Sequence, residues 1–199
     1  MGVKDQIIGI LNSGEAARIR FSFIGNNGTQ QISVDPGMFR SVAQAISQNR
    51  IHIVEDHGSL DSAFLGDIAM YSSRANTETS VAANTLYLGR NPRYSRLFNA
   101  LVVHESVHAA FDINSNSMPW IDNECAGYIA QAYYARNSGL PRTAYEYGSE
   151  SILAYSVVEG IRSHSDTDVT FFLGELRSSL RRNRMYSRYI NSHFDGDGV

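Results

Sequence analysis

The sequence predicts an α+β fold, with strands concentrated in the first half and helices in the second. Two observations carry this. "RIRFSFI" alternates Ile19, Phe21 and Phe23 with polar residues, the period of a half-buried strand. From Tyr94 onward, long stretches carry apolar residues at helical spacing, punctuated by Pro and Gly. The expected arrangement is an N-terminal, mostly antiparallel sheet followed by a helical half. One domain accounts for 1–199, divided into a strand-rich part at 1–92, a helical part at 93–190 and a mobile tail at 191–199.

The elements follow in order. "GNNG" after the first strand is a turn, and "TQQISV" is its return strand, which makes a hairpin. "DPG" opens a helix over Met38–Gln48, with Val42, Ala45 and Ile46 on one face. "IHIVE" at 51–55, "DIAMYS" at 67–72 and "NTLYLG" at 84–89 are short strands. Tyr94 to Asp112 is the first long helix, and "INSNSMP" is the loop after it. Trp120 to Asn137 is the second, entered through Pro119 and stopped by Gly139-Leu140-Pro141. Thr143–Arg162 and Val169–Ile190 are the third and fourth.

Composition excludes several classes. A hydrophobic content of 43% with Tyr 11 and Phe 9 supports a sizeable core, not a disordered chain. The net charge of −3 exerts no general pull toward nucleic acid or anionic membranes. No run approaches the roughly 20 apolar residues that span a bilayer. The N-terminus lacks the pattern of a secretory signal, so a soluble, cytoplasmic protein is expected, with export by a dedicated secretion system as the other route. Cys125 is the lone cysteine, which rules out an intrachain disulfide. Lys4 is the sole lysine among 17 basic residues. Arg177, Arg181, Arg184 and Arg188 form a stripe beside Leu173, Leu176 and Leu180. It reads either as a surface for an anionic partner or as the solvated face of an amphipathic helix.

The stretch "LVVHESVHAAFD" carries the chemistry. Residues four apart on a helix are separated by roughly 40° around its axis, so His104 and His108 project from one face. Their imidazoles can converge on one Zn²⁺. Glu105 is rotated away from that pair but stays beside it, within reach of an activated water as general base. This is the content of H-E-x-x-H. The flanking Ala100, Leu101, Val103, Val107, Ala109, Ala110 and Phe111 make the helix apolar on several sides. Buried histidines need partners, and a metal is one. The other reading is a pair of core histidines satisfied by hydrogen bonds.

A catalytic zinc usually has three protein ligands. Asn114 occupies the position six past His108, and no glycine turns the chain before it, so a third ligand there is closed off. The next helix offers Glu124 sixteen residues past His108, and Ala126, Gly127 and Ala130 let the two helices approach closely. Glu124 is the expected ligand and Asp122 the rival. Asp112 is placed to orient His108 from behind.

Together "HESVH" and "NECAGYIAQAYY" resemble the gluzincin branch of zincin-type metallopeptidases, and loosely the ImmA/IrrE group, over roughly Asn84 to Ala135. The resemblance implies a zincin-like fold and a zinc-dependent hydrolase of peptide or protein substrates. His104, His108 and Glu124 would be the metal ligands and Glu105 the base. It implies that an edge strand before the helix binds extended substrate, and "NTLYLG" has that place in sequence. Thermolysin-like members carry an aspartate where this chain has Tyr128, so Asp112, Asp122 or a carbonyl would orient the histidine instead.

Peptide hydrolysis also needs a donor for the developing oxyanion. Tyr128, Tyr133, Tyr134, Tyr145, Tyr147, Tyr155 and His164 lie downstream, and Tyr155 and His164 are favoured because such donors often come from a later helix. His52 and His57 read as half-exposed histidines and Cys125 as buried packing. The alternative function is a zincin fold kept as a sensor or binding module without turnover. The intact Glu105 argues against it, since a pure binder needs no base.

Overall fold

The computed structural model describes residues 2–55, 69–77, 80–89, 95–146, 148–186, 189 and 191–199. Within them the chain is a mixed α+β fold. It begins with helix α1 (Val3–Leu11), which buries Ile7, Ile10 and Leu11 at i, i+3 and i+4. The sequence reading has no counterpart for it. Strands β1 (Phe21–Ile24) and β2 (Gln31–Val34) form the expected antiparallel hairpin. Phe21 and Phe23 face Val34 and Ile32 on the buried side. In the turn, Asn27 Oδ1 accepts the N–H of both Thr29 and Gln30, and Gly28 takes φ +78.

Helix α2 (Pro36–Ser47) starts where "DPG" predicts, because Asp35 caps it by accepting from Gly37 N–H and Pro36 fits the first turn. Strands β3 (His52–Glu55), β4 (Ala69–Ser72) and β5 (Thr85–Leu88) then build a second sheet in the order β3-β5-β4. The pair β3–β5 is parallel and β4–β5 antiparallel. The N-terminal part is therefore two small sheets, one of them mixed, and not one mostly antiparallel sheet. Among the described residues it also holds two α-helices, α1 and α2. "NTLYLG" supplies the central strand, not an edge. All four residues of β5 are buried, as in a strand covered on both faces, and among the described residues the edges of the sheet are β3 and β4.

Helices α3 (Arg96–Ile113) and α4 (Trp120–Asn137) are the centre of the molecule and pack along each other. Ser95 opens α3 by accepting from Phe98 N–H, and the Asn114 side chain closes it onto the Ala110 carbonyl. Both helices are buried on nearly every side. Helices α1 and α2 and strand β4 cover α3. Helices α6 (Ser149–Arg162) and α7 (Asp166–Arg182) cover α4.

The C-terminal half departs from the expected boundaries in three places. The third helix is split into α5 (Arg142–Tyr145) and α6, because Glu146 leaves the helical region and Gly148 is extended at the cap of α6. The fourth helix ends at Arg182, where Asn183 turns extended, and a 3₁₀ turn over Arg184–Tyr186 follows. The expected mobile tail is docked. Strand β7 (His193–Asp195) pairs antiparallel with β6 (Ser117–Pro119), and Gly196 N–H donates to the Asn116 carbonyl. Glycine makes this docking possible, since a Cβ on Gly196 would stand 2.8 Å from Asp112 Cα.

Candidate metal centre

Helix α3 presents His104 and His108 one turn apart, with ring centroids 5.0 Å apart. Helix α4 presents Glu124 opposite them. Its Oε2 is 3.6 Å from His104 Nε2, and its Oε1 is 3.5 Å from His108 Nε2. All three residues are buried, and their ligand atoms lie within 4.8 Å of one another. The separations are too long for direct hydrogen bonds. They match a shared ion instead: ligand atoms bound to one tetrahedral zinc stand about 3.4 Å apart. The donor set, two imidazoles and a carboxylate, suits Zn²⁺ and can also take other first-row divalent ions.

The other nitrogen of each imidazole is held from behind. His104 Nδ1 lies 3.0 Å from Gln131 Oε1, and His108 Nδ1 lies 3.0 Å from Asn123 Oδ1. An amide oxygen only accepts, so each Nδ1 donates to its amide, which leaves each Nε2 on the side of Glu124. Gly127 completes the cradle beneath His104, where a Cβ would stand 2.7 Å from Nε2. Glu124, Gly127 and Gln131 are spaced by three and four on α4, which makes them one stripe facing α3.

Glu105 sits beside the cluster, buried, with Oε2 accepting the Tyr71 N–H of β4 at 2.8 Å. Burial holds its carboxyl above the usual carboxylate range, against the pull of His104 and His108. Burial opposes charge on His104, but Glu124 and Glu105 outweigh it and raise its pKa. Burial likewise opposes charge on Glu124, and the two histidines reverse the effect and lower it.

A pair of tyrosines borders the site. The Tyr128 ring meets His104 edge-on at 4.8 Å, and its hydroxyl is 2.8 Å from the Tyr186 hydroxyl. Burial, and then the charge of Glu124 among its neighbours, pushes the Tyr186 phenol up, so it stays protonated. Trp120 packs on Tyr186 at 5.1 Å and on Tyr189 at 5.6 Å, which holds this turn against the start of α4.

Comparison with protein-family models, with curated proteins and with solved structures finds no match for this chain.

The structure thus brings His104, Glu105, His108 and Glu124 together. It takes the two aspartates elsewhere. Asp122 is fully buried and receives Arg177 at 2.8 Å and the Asn26 N–H at 2.7 Å, so it is not the rival ligand. Asp112 receives the Tyr71 hydroxyl at 2.6 Å and does not orient His108. Tyr155 packs on Tyr145 and under Arg142, and His164 is exposed at the end of α6. His52 is exposed, while His57, Tyr147 and Arg188 lie outside the described residues. Cys125 is buried packing, its thiol pushed up by burial. Arg177 leaves the expected solvated stripe to reach Asp122, and Arg181 donates to the Asn26 side chain. Among the described residues, no helix is long and apolar enough to cross a membrane.

Proposed function

We propose that the chain is a zinc-dependent hydrolase of peptide bonds, built on a zincin-like arrangement. His104, His108 and Glu124 are the metal ligands and Glu105 is the general base. The observation that carries the reading is the placement of Glu105. A cluster serving only to hold a metal has no use for a second carboxylate buried beside it, with one oxygen tied to a strand and its pKa raised by burial. A Zn²⁺ held by the three ligands would supply Lewis acidity, polarising a carbonyl and acidifying water.

The protein groups then divide the work. Glu105 Oε2 is engaged by Tyr71, so Oε1 takes the proton of the attacking water. The hydroxide adds to the carbonyl carbon. As the C–N bond breaks, the same carboxyl returns the proton to the leaving nitrogen. The protonated Tyr186 hydroxyl, supported by Tyr128, donates to the oxygen that becomes negative.

The test is elemental analysis of wild type, Glu124→Ala and Glu105→Gln, followed by mass-spectrometric screening against a peptide library. Wild type should bind about one zinc per chain. Glu124→Ala should lose most of it, and Glu105→Gln should keep the metal and lose hydrolysis. Absence of zinc in wild type after zinc addition overturns the reading.

A further inference from the structure

Among the described residues strand β4 is an edge, and Tyr71 grips α3 at two points from its outer side. Its N–H donates to Glu105 Oε2 at 2.8 Å, and its hydroxyl donates to Asp112 Oδ2 at 2.6 Å. Glu105 and Asp112 are seven residues apart, two turns along one face of the helix. One tyrosine therefore spans from the base to the far end of α3.

The C-terminal segment holds the far end. Asp197 N–H donates to Asp112 Oδ1 at 3.0 Å, and Gly198 N–H to the Asp112 carbonyl at 3.2 Å. Gly196 lies directly against the Asp112 backbone. Arg74, two residues beyond β4, donates to the Asp195 carbonyl at 3.2 Å, and Arg50 donates to the Val199 carbonyl at 2.6 Å. Asp112 is fully buried, and the Tyr71 hydroxyl and the Asp197 N–H are what satisfies its carboxylate.

We infer that Tyr71 and Asp112 are positioning residues for Glu105, and that the docked segment Gly196–Gly198 controls the site through them. The inference rests on the reading of Glu105 as the base. A carboxylate with one oxygen held by a strand N–H presents the other in a single orientation. Release of the tail frees one oxygen of Asp112, loosens the tyrosine hydroxyl and lets β4 drift from Glu105. Reacting groups tolerate little such drift.

Two full-length variants separate the links. Tyr71→Phe removes the hydroxyl and keeps the N–H. Gly196→Val undocks the tail, because its Cβ would collide with main-chain atoms that cannot yield, and it alters neither Tyr71 nor Asp112. Amide hydrogen exchange is read at Tyr71 in the zinc-loaded protein, with Leu86 and Leu88 of the neighbouring strand as reference. Exchange at Tyr71 should rise about tenfold in both variants, with the references unchanged. On a peptide that the wild type cleaves, kcat should fall about tenfold, with KM and zinc content unchanged. Wild-type exchange at Tyr71 in Gly196→Val, with the Asp197 and Gly198 amides unprotected, overturns the inference. So does faster exchange with unaltered kcat. If the wild type cleaves no peptide, the peptidase reading fails on its own, and the exchange result still decides whether the tail is wired to Glu105.

Discussion

Gly127 lies so close beneath His104 that a Cβ built on it would stand 2.7 Å from Nε2 and 2.8 Å from Cδ2. That is well inside van der Waals contact, and the ring is pinned on its other side by Gln131. Gly127→Ala should therefore push the imidazole out of line with His108 and Glu124. Zinc affinity, measured by competition with a chromogenic chelator, is expected to fall by about 10- to 100-fold. An unchanged affinity would show that the ring does not ligate from the position it occupies here.

Asn123 and Gln131 hold the imidazoles by amide oxygens where a carboxylate is the stronger acceptor. Gln131→Ala leaves the His104 ring without its guide and should weaken zinc by about tenfold. Gln131→Glu keeps the acceptor and adds a negative charge behind the metal, so it should bind zinc at least as tightly as wild type. The pair of variants, titrated in parallel, separates orientation from bulk.

Much of this centre is legible in the sequence, because spacing of four on a helix is a geometric statement. His104 and His108 converge for that reason alone. Glu124 was reachable because helices joined by a short loop lie side by side. Gln131 and Asn123 carried a readable signal as well: two polar amides within a helix that is otherwise buried, one of them seven residues past Glu124. Tyr71 carried none. Its contribution is a backbone N–H and a long-range contact, set by strand order, and β5 had been expected at the edge. Tyr186 was obscured by reading one helix through Val169–Ile190, which put it mid-helix. Asn183 breaks that helix and swings the tyrosine toward α4. The docking of the C-terminal segment leaves no mark in the sequence, because Gly and Asp are turn formers and their close fit against Asp112 exists only in three dimensions.

Tyr186 is predicted to act in turnover alone. Tyr186→Phe should retain zinc and fold, since Trp120 packs on the ring and not on the hydroxyl. Loss of one oxyanion donor costs about 100-fold in kcat. Steady-state kinetics should place the loss in kcat, with KM little changed. A loss confined to KM would reassign the hydroxyl to ground-state binding.

The charge pattern of the site sets the pH response. His104 is raised in the folded chain, so without metal its contribution to stability is full below pH 6.5, the ordinary His value, and is lost as pH rises through the folded value. Glu124 is lowered, so its contribution is present above pH 4.5, the ordinary Glu value, and is lost as pH falls through the folded value. Glu105 is raised, so its cost to stability grows as pH climbs above 4.5. The metal-free protein should therefore lose stability as pH rises above 6.5. Zinc must displace a proton from His104, so its affinity should rise over the same interval. Thermal melts with and without zinc should diverge as pH increases, and calorimetry in buffers of different ionisation enthalpy should show proton release. Melts that stay parallel would mean that His104 gives up no proton to the metal.

Arg177 and Asp122 fasten α7 to the start of α4, on the same helical turn as Glu124. The Asp122 side chain is fully buried, and both Nε and Nη2 of Arg177 donate to its Oδ1, at 3.0 and 2.8 Å. The same Nη2 donates to the Ile24 carbonyl of the hairpin at 2.7 Å, and Asp122 Oδ2 accepts the Asn26 N–H. Arg177→Met would leave a buried carboxylate with a single N–H partner. Breaking one side of a buried pair costs about 3 to 5 kcal/mol. The double variant Asp122→Asn with Arg177→Met removes the charge as well and should recover a large part of that loss. Chemical denaturation of Arg177→Met, Asp122→Asn and the double variant measures the coupling. The single variant should also bind zinc more weakly, because Asp122 precedes Asn123 and Glu124 on the same helical turn. A fully stable Arg177→Met would mean that α7 is held by Leu173, Leu176 and Leu180 alone, leaving the arginine a surface residue as the sequence suggested.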